Sequence, residues 1–134
     1  MAQAVLLALR EHNAAAVAFH GAVAARFGLN MTDLKALDIL ERTGPRTAGE
    51  IAAETGLAAA SVTALIDRLA RKRCVRRHRD PRDRRRMIVE LSPSLRARFA
   101  VAFGPLQRAT LERIGRYSDA ELRVILSFLE EEPT

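Results

Sequence analysis

Between Val62 and Leu91 the hydrophobic period of the chain changes from that of a helix to that of a strand, and the change falls inside its most basic stretch. Val62, Leu65, Ile66 and Leu69 recur at the spacing of one helix face, whereas Met87, Val89 and Leu91 alternate as a half-buried strand does. From Arg68 to Arg86 lie eleven of the chain's 22 Lys/Arg residues and only two acids, Asp80 and Asp83. A run of arginines is ordinarily a solvated face. Here it coincides with a helix followed by a hairpin, a shape that lays cations along a phosphate backbone, where they displace condensed counterions.

The rest of the composition narrows the partner. A chain of 134 residues points to one domain. Its 49% apolar content excludes a disordered protein, and with no Trp the core must come from Ala, Leu, Val and Ile, which suits helices. A net charge of +6 asks for a polyanion, either nucleic acid or an anionic membrane. No apolar run approaches the roughly 20 residues of a membrane span, so no membrane partner is expected. The opening MAQAVLLALREH is interrupted by Arg10 and Glu11 and lacks the basic start of a secretory signal, so the expected location is the cytoplasm.

A single cysteine, Cys74, permits no intramolecular disulfide and no zinc ribbon or finger, and its place before the first basic strand suits a buried thiol. His20 and His78 have no ligand-spaced partners; neither a metal nor a cofactor is expected. There is no Gly-rich phosphate loop, Ser-His-Asp pattern or paired carboxylate in an apolar setting, so the chain does not read as an enzyme.

Residues 4–27 read as one amphipathic helix with Val5, Leu9, His12, Ala16, Phe19, Val23 and Phe27 on one stripe, ended by Gly28. Asn30 caps a second helix that carries Asp33 in its first turn and runs to about Thr43. Thr47 and Glu50 form a capping box for a short helix to about Thr55, and Gly56 supplies a left-handed turn residue. A longer helix covers about Ala59–Lys72, and strands at 74–80 and 86–91 flank the tip Asp80–Arg85. Ser92-Pro93 starts a further helix with the stripe Leu95, Phe99, Ala102 and Leu106, kinked at Gly104-Pro105. Ser118 and Glu121 make a second capping box before a helix with Leu122, Ile125, Leu126 and Leu129 on one face.

From Ile51 to Leu65 the spacing is that of a helix-turn-helix: small Ala52 admits the second helix, Gly56 makes the turn, and Val62 and Leu65 anchor inward. IAAETGLAAASVTALIDRLARKRCVRRHRDPRDRRRMIVELS, with Asp83-Arg84-Arg85, five residues, then Leu91-Ser92, resembles the winged helix-turn-helix of the multiple-antibiotic-resistance regulator (MarR) family. The resemblance extends over nearly all of the chain. It implies a mainly α (α+β) fold: a DNA-binding lobe over 31–92 and dimerisation helices over 1–29 and 93–134. It further implies a homodimeric regulator of double-stranded DNA at a pseudo-palindromic operator, in many relatives released by a small aromatic acid or phenol or by cysteine oxidation. Repression is the simpler expectation, since occluding a promoter needs no further interface.

The same resemblance assigns residues. Arg85 matches the wing arginine that enters the minor groove, Asp83 the acid that holds it, and Arg68 a position that supports the wing or touches backbone. A narrow minor groove concentrates negative potential, and a carboxylate can fix a guanidinium. Arg84 is the next candidate, for phosphate, and Arg82 joins it among the DNA-binding residues.

Ala59, Ala60, Ser61, Thr63 and Ala64 form the groove-facing surface, which offers methyl contacts to thymine and few hydrogen bonds. Three departures from the family stand out, the first being that Ala59 and Ala64 stand where relatives often have an Arg or a polar residue. Ala58 occupies the place of a capping Ser or Thr, a loss of about 1 kcal/mol, and Arg73 stands near an expected Gly. His12 is either an interface histidine or, with Phe19, part of an effector pocket. The sparse base-reading surface keeps open a rival reading as a non-specific architectural DNA- or RNA-binding module.

Overall fold

The computed structural model describes residues 1–131, and within them the elements run α1 (Ala2–Arg26), α2 (Met31–Thr43), β1 (Arg46–Thr47), α3 (Ala48–Thr55), α4 (Ala59–Arg71), β2 (Val75–Arg79), β3 (Met87–Leu91), α5 (Pro93–Ile114) and α6 (Asp119–Glu130). They fall into two compact units, Met1–Arg96 and Ala97–Thr134. No single helix among the described residues is long and apolar enough to cross a membrane.

In the first unit α2 packs against the end of α1, α3 and β3, and α3 packs against α4. Leu37, Leu40, Ile51, Val62, Leu69, Val89 and Leu95 are fully buried and form its core. The local punctuation explains the boundaries. Asn30 and Asp33 satisfy each other's free amides at the start of α2, Thr47 and Glu50 do so for α3, and Ser118 and Glu121 for α6. Ser92 Oγ accepts from the Leu95 amide while Pro93 takes the first position of α5, which then runs unbroken through Pro105.

Two helices end in the same way with different residues. After α1, Gly28 at φ 67° lets the Leu29 amide reach Ala24 O and the Gly28 amide reach Ala25 O. After α4, the Cys74 amide reaches Leu69 O and the Arg73 amide Ala70 O, with Arg73 at φ 59° in the position that glycine favours. The expected glycine position is thus a left-handed one that an arginine occupies. Cys74, next in the chain, is buried.

The sheet order is β1-β3-β2, antiparallel throughout. β1 is an addition to the sequence reading: Arg46 and Thr47 pair with Val89 and Ile88, so the wing hairpin is hydrogen-bonded to the segment that enters α3.

In the second unit Phe99 meets Phe103 edge to face at 5.6 Å. The stripe of α6 is largely open, with Ile125, Leu126 and Leu129 all exposed.

Candidate nucleic-acid interface

α3 and α4 are bent by 115° across the turn Gly56–Ala58, the geometry of a helix-turn-helix. Gly56 is left-handed at φ 73°. The second helix buries Val62, Leu65, Ile66 and Leu69, and the opposite face presents Ala59, Ala60, Ser61, Thr63 and Ala64, all exposed. Thr63 Oγ1 donates to Ala59 O at 3.1 Å. No side chain caps α4, whose N-cap is Ala58.

The wing continues from this helix. β2 and β3 pair from Val75↔Leu91 to Arg79↔Met87, which puts Arg77 and Arg79 on the face that Val75 begins and Arg76 and His78 on the other. The tip folds on its own acids. Asp80 Oδ1 accepts from the Arg82 amide at 2.9 Å, and Asp83 Oδ1 from the Arg85 amide at 3.1 Å. The Asp80 amide bonds Arg86 O and closes the loop. Two carboxylates therefore sit at the wing tip because the backbone needs acceptors there, as in other Asx turns.

Three-dimensional pairing divides the cations. Arg68 is bonded to Asp33, whose side chain is 2% exposed, and Arg77 to Asp67 on α4. Arg76 pairs with Glu90 at 2.9 Å and Arg86 with Glu50 at 3.2 Å. Lys72 Nζ bonds Gly28 O, and Arg79 donates to Arg84 O at 2.8 Å. Arg85 lies 3.5 Å from Asp83 by a single Nε contact, with its side chain 95% exposed. Arg82 and Arg84 have no acidic partner among the described residues and are exposed. The tip thus holds two guanidiniums without an acidic partner among the described residues and a third, Arg85, met only by Asp83, while Arg68 braces α4 against α2.

The residues named from the sequence therefore gather in one unit in two places: the exposed face of α4 with Arg68 at its far end, and the tip Arg82–Arg85. His12 and Phe19 are two turns apart on α1, His12 exposed and Phe19 half-buried against the edge of His20. Asp33, Asp67 and Glu50, which hold the cations in place, were not singled out for that role; no local pattern marks an acid whose partner lies 35 or 36 residues away, as for Asp33 and Glu50.

Glu50 does most of this holding. It accepts from the Thr47 hydroxyl and amide and meets Arg46 and Arg86. The hydrogen bonds from Thr47, helped by the two guanidiniums, hold its carboxyl below the usual carboxylate range.

Comparison with known proteins agrees with this geometry. The MarR-family profile matches residues 27–86. The chain is 43% identical over 113 residues to the HTH-type transcriptional regulator YcgE of Bacillus subtilis (strain 168), covering 84% of this chain and 73% of that protein. RV1404 of Mycobacterium tuberculosis superposes with a TM-score of 0.72 at 20% identity, over 100% of this chain and 97% of that one, a likeness of fold. Bordetella bronchiseptica BpsR, whose DNA binding is regulated by 6-hydroxynicotinic acid, gives a TM-score of 0.56 at 25% identity over 93% of this chain and 89% of its own. The fold is a winged helix-turn-helix, and the chain belongs to the MarR family of DNA-binding transcriptional regulators.

Proposed function

We propose that the protein is a homodimeric repressor that occupies a pseudo-palindromic operator, with α4 in the major groove and the wing tip reaching the minor groove. The observation that supports this reading is the tip of the hairpin that follows α4: Arg82, Arg84 and Arg85 are all exposed there, Arg82 and Arg84 without an acidic partner among the described residues and Arg85 with only its Nε contact to Asp83. A full charge in a narrow minor groove meets a focused field. In this reading residues 31–92 are the DNA-binding lobe, 1–29 and 93–134 supply the dimer contacts, and the protein acts in the cytoplasm.

Release by a small aromatic acid or phenol is part of the proposal. BpsR, which responds to 6-hydroxynicotinic acid, supports it by analogy, and His12 and Phe19 on one side of α1 are the candidate contacts.

Selection of bound fragments from random duplex DNA tests the reading. Recovery of a palindrome with two equal half-sites is expected. Enrichment of no sequence would favour a non-specific DNA- or RNA-binding module, the reading favoured by the absence of long polar side chains on the exposed face of α4 from Ala59 to Ala64. Competition of the selected duplex against random duplex and structured RNA separates the two.

A further inference from the structure

Resting on the DNA-binding reading above, we propose that α4 reads thymine through its C5-methyl group, with Ala60, Thr63 and Ala64 as the specificity-determining residues. These three lie at i, i+3 and i+4 opposite the buried Val62, Leu65, Ile66 and Leu69, and all three are exposed. The next residue of the same stripe, Asp67, could accept from a cytosine amino group, but its carboxylate is bonded to Arg77 on β2. Arg68, the first guanidinium of α4 and the side-chain type that reads guanine, is bonded to the buried Asp33. Thr63 gives its hydroxyl hydrogen to Ala59 O, so beside its methyl branch it keeps only an acceptor oxygen. Ser61 is the only side chain of this surface that keeps a polar group without a partner among the described residues.

Apart from the Ser61 hydroxyl and the Thr63 acceptor oxygen, what faces a groove is a patch of methyl groups. In the major groove the C5-methyl of thymine is the apolar feature of a base edge, and alanine and the threonine methyl are its complements. Burying a methyl against a methyl needs no directional partner, so the helix can select thymine with side chains that make no hydrogen bond.

The test uses the full-length protein and the duplex recovered by selection. Each thymine of a half-site is replaced singly by deoxyuridine, which removes the C5-methyl and nothing else. At one or two positions per half-site affinity is expected to fall about fourfold per methyl lost. A cytosine placed there should bind better once it carries a 5-methyl group, which restores the methyl at the same ring position. T63S, which deletes the methyl, should lose about the same fourfold and become indifferent to uracil at the base it faced, whereas T63V, which exchanges the hydroxyl for a second methyl, should keep the preference for thymine over uracil there. Indifference of the wild type to uracil at every half-site thymine would overturn the methyl reading while leaving operator binding intact. A selected operator without thymine in its half-sites, or the same indifference to uracil in T63V as in T63S, would overturn it too. Failure to enrich any sequence would sink both this inference and the proposed function.

Discussion

Arg73 sits at φ 59°, a left-handed conformation that costs a side-chain-bearing residue about 1 kcal/mol or more. Its amide and that of Cys74 nonetheless make the two bonds that close α4, so the conformation is imposed by the turn and not by the residue. Arg73→Gly should therefore raise stability by up to about 1 kcal/mol, the gain partly offset by the freer unfolded chain. A thermal melt that moved down would show that the arginine has a compensating contact. At the wing tip, Arg85→Ala should weaken operator binding by about 1–3 kcal/mol and Ser61→Ala by less. Asp83→Ala should also weaken binding, although it removes a negative charge near DNA. The reason is the backbone: Asp83 Oδ1 holds the Arg85 amide at 3.1 Å, whereas its ion pair with so exposed a guanidinium adds little. Titration of one operator at one salt concentration, after a check of folding, decides the sign. Tighter binding by Asp83→Ala would mean that the tip is a diffuse cationic arm.

At the scale of elements, α4 is fixed by two links that do not involve DNA. Arg68 joins it to Asp33 at the start of α2, and Arg77 joins β2 to Asp67 on α4. Asp33→Ala should cost about 2 kcal/mol, because it strips the Asn30 amide and the Arg68 guanidinium of a buried acceptor. Chemical denaturation measures it, and an unchanged midpoint would contradict the bracing role. Glu50 adds a pH dependence. Its folded pKa is lowered, chiefly by Thr47, so its contribution to stability is complete above its ordinary range and is lost as pH falls through the lowered value. Glu50→Gln should be less stable than wild type at neutral pH, and the gap between their melts should close on acidification; a constant gap would assign the effect to packing. Much of this framework was legible in the chain because it is local. The capping boxes at Thr47 and Ser118, the Gly56 turn and the change of period before the wing each need only a few consecutive residues. β1 was not legible, because two residues after Pro45 carry no period. Nor was it legible which arginines of the basic run are already engaged: Asp33 and Glu50 find their partners 35 and 36 residues away, and only the fold brings them together.

For the whole molecule, the proposed homodimer would draw on exposed apolar residues. Val5, Leu6, Leu7 and Val17 on α1 and Ile114, Tyr117, Val124, Leu126, Phe128 and Leu129 in the second unit are each more than a third exposed. In the proposed dimer these residues would be covered by the second copy, as large exposed apolar patches usually are. Light scattering at micromolar concentration should give twice the chain mass, and a monomer would remove the basis for a palindromic operator. Binding by such a dimer through its wings must release counterions. The most direct measurement is the affinity for the selected operator between about 50 and 200 mM salt, for wild type and for a variant with Arg82, Arg84 and Arg85 all changed to alanine. If the dimer neutralises roughly 6–10 phosphates, wild-type affinity should fall on the order of 10³–10⁵-fold over that range, and the variant should lose both affinity and much of the slope. A nearly flat wild-type dependence, or the same slope in both proteins, would contradict a wing that meets DNA.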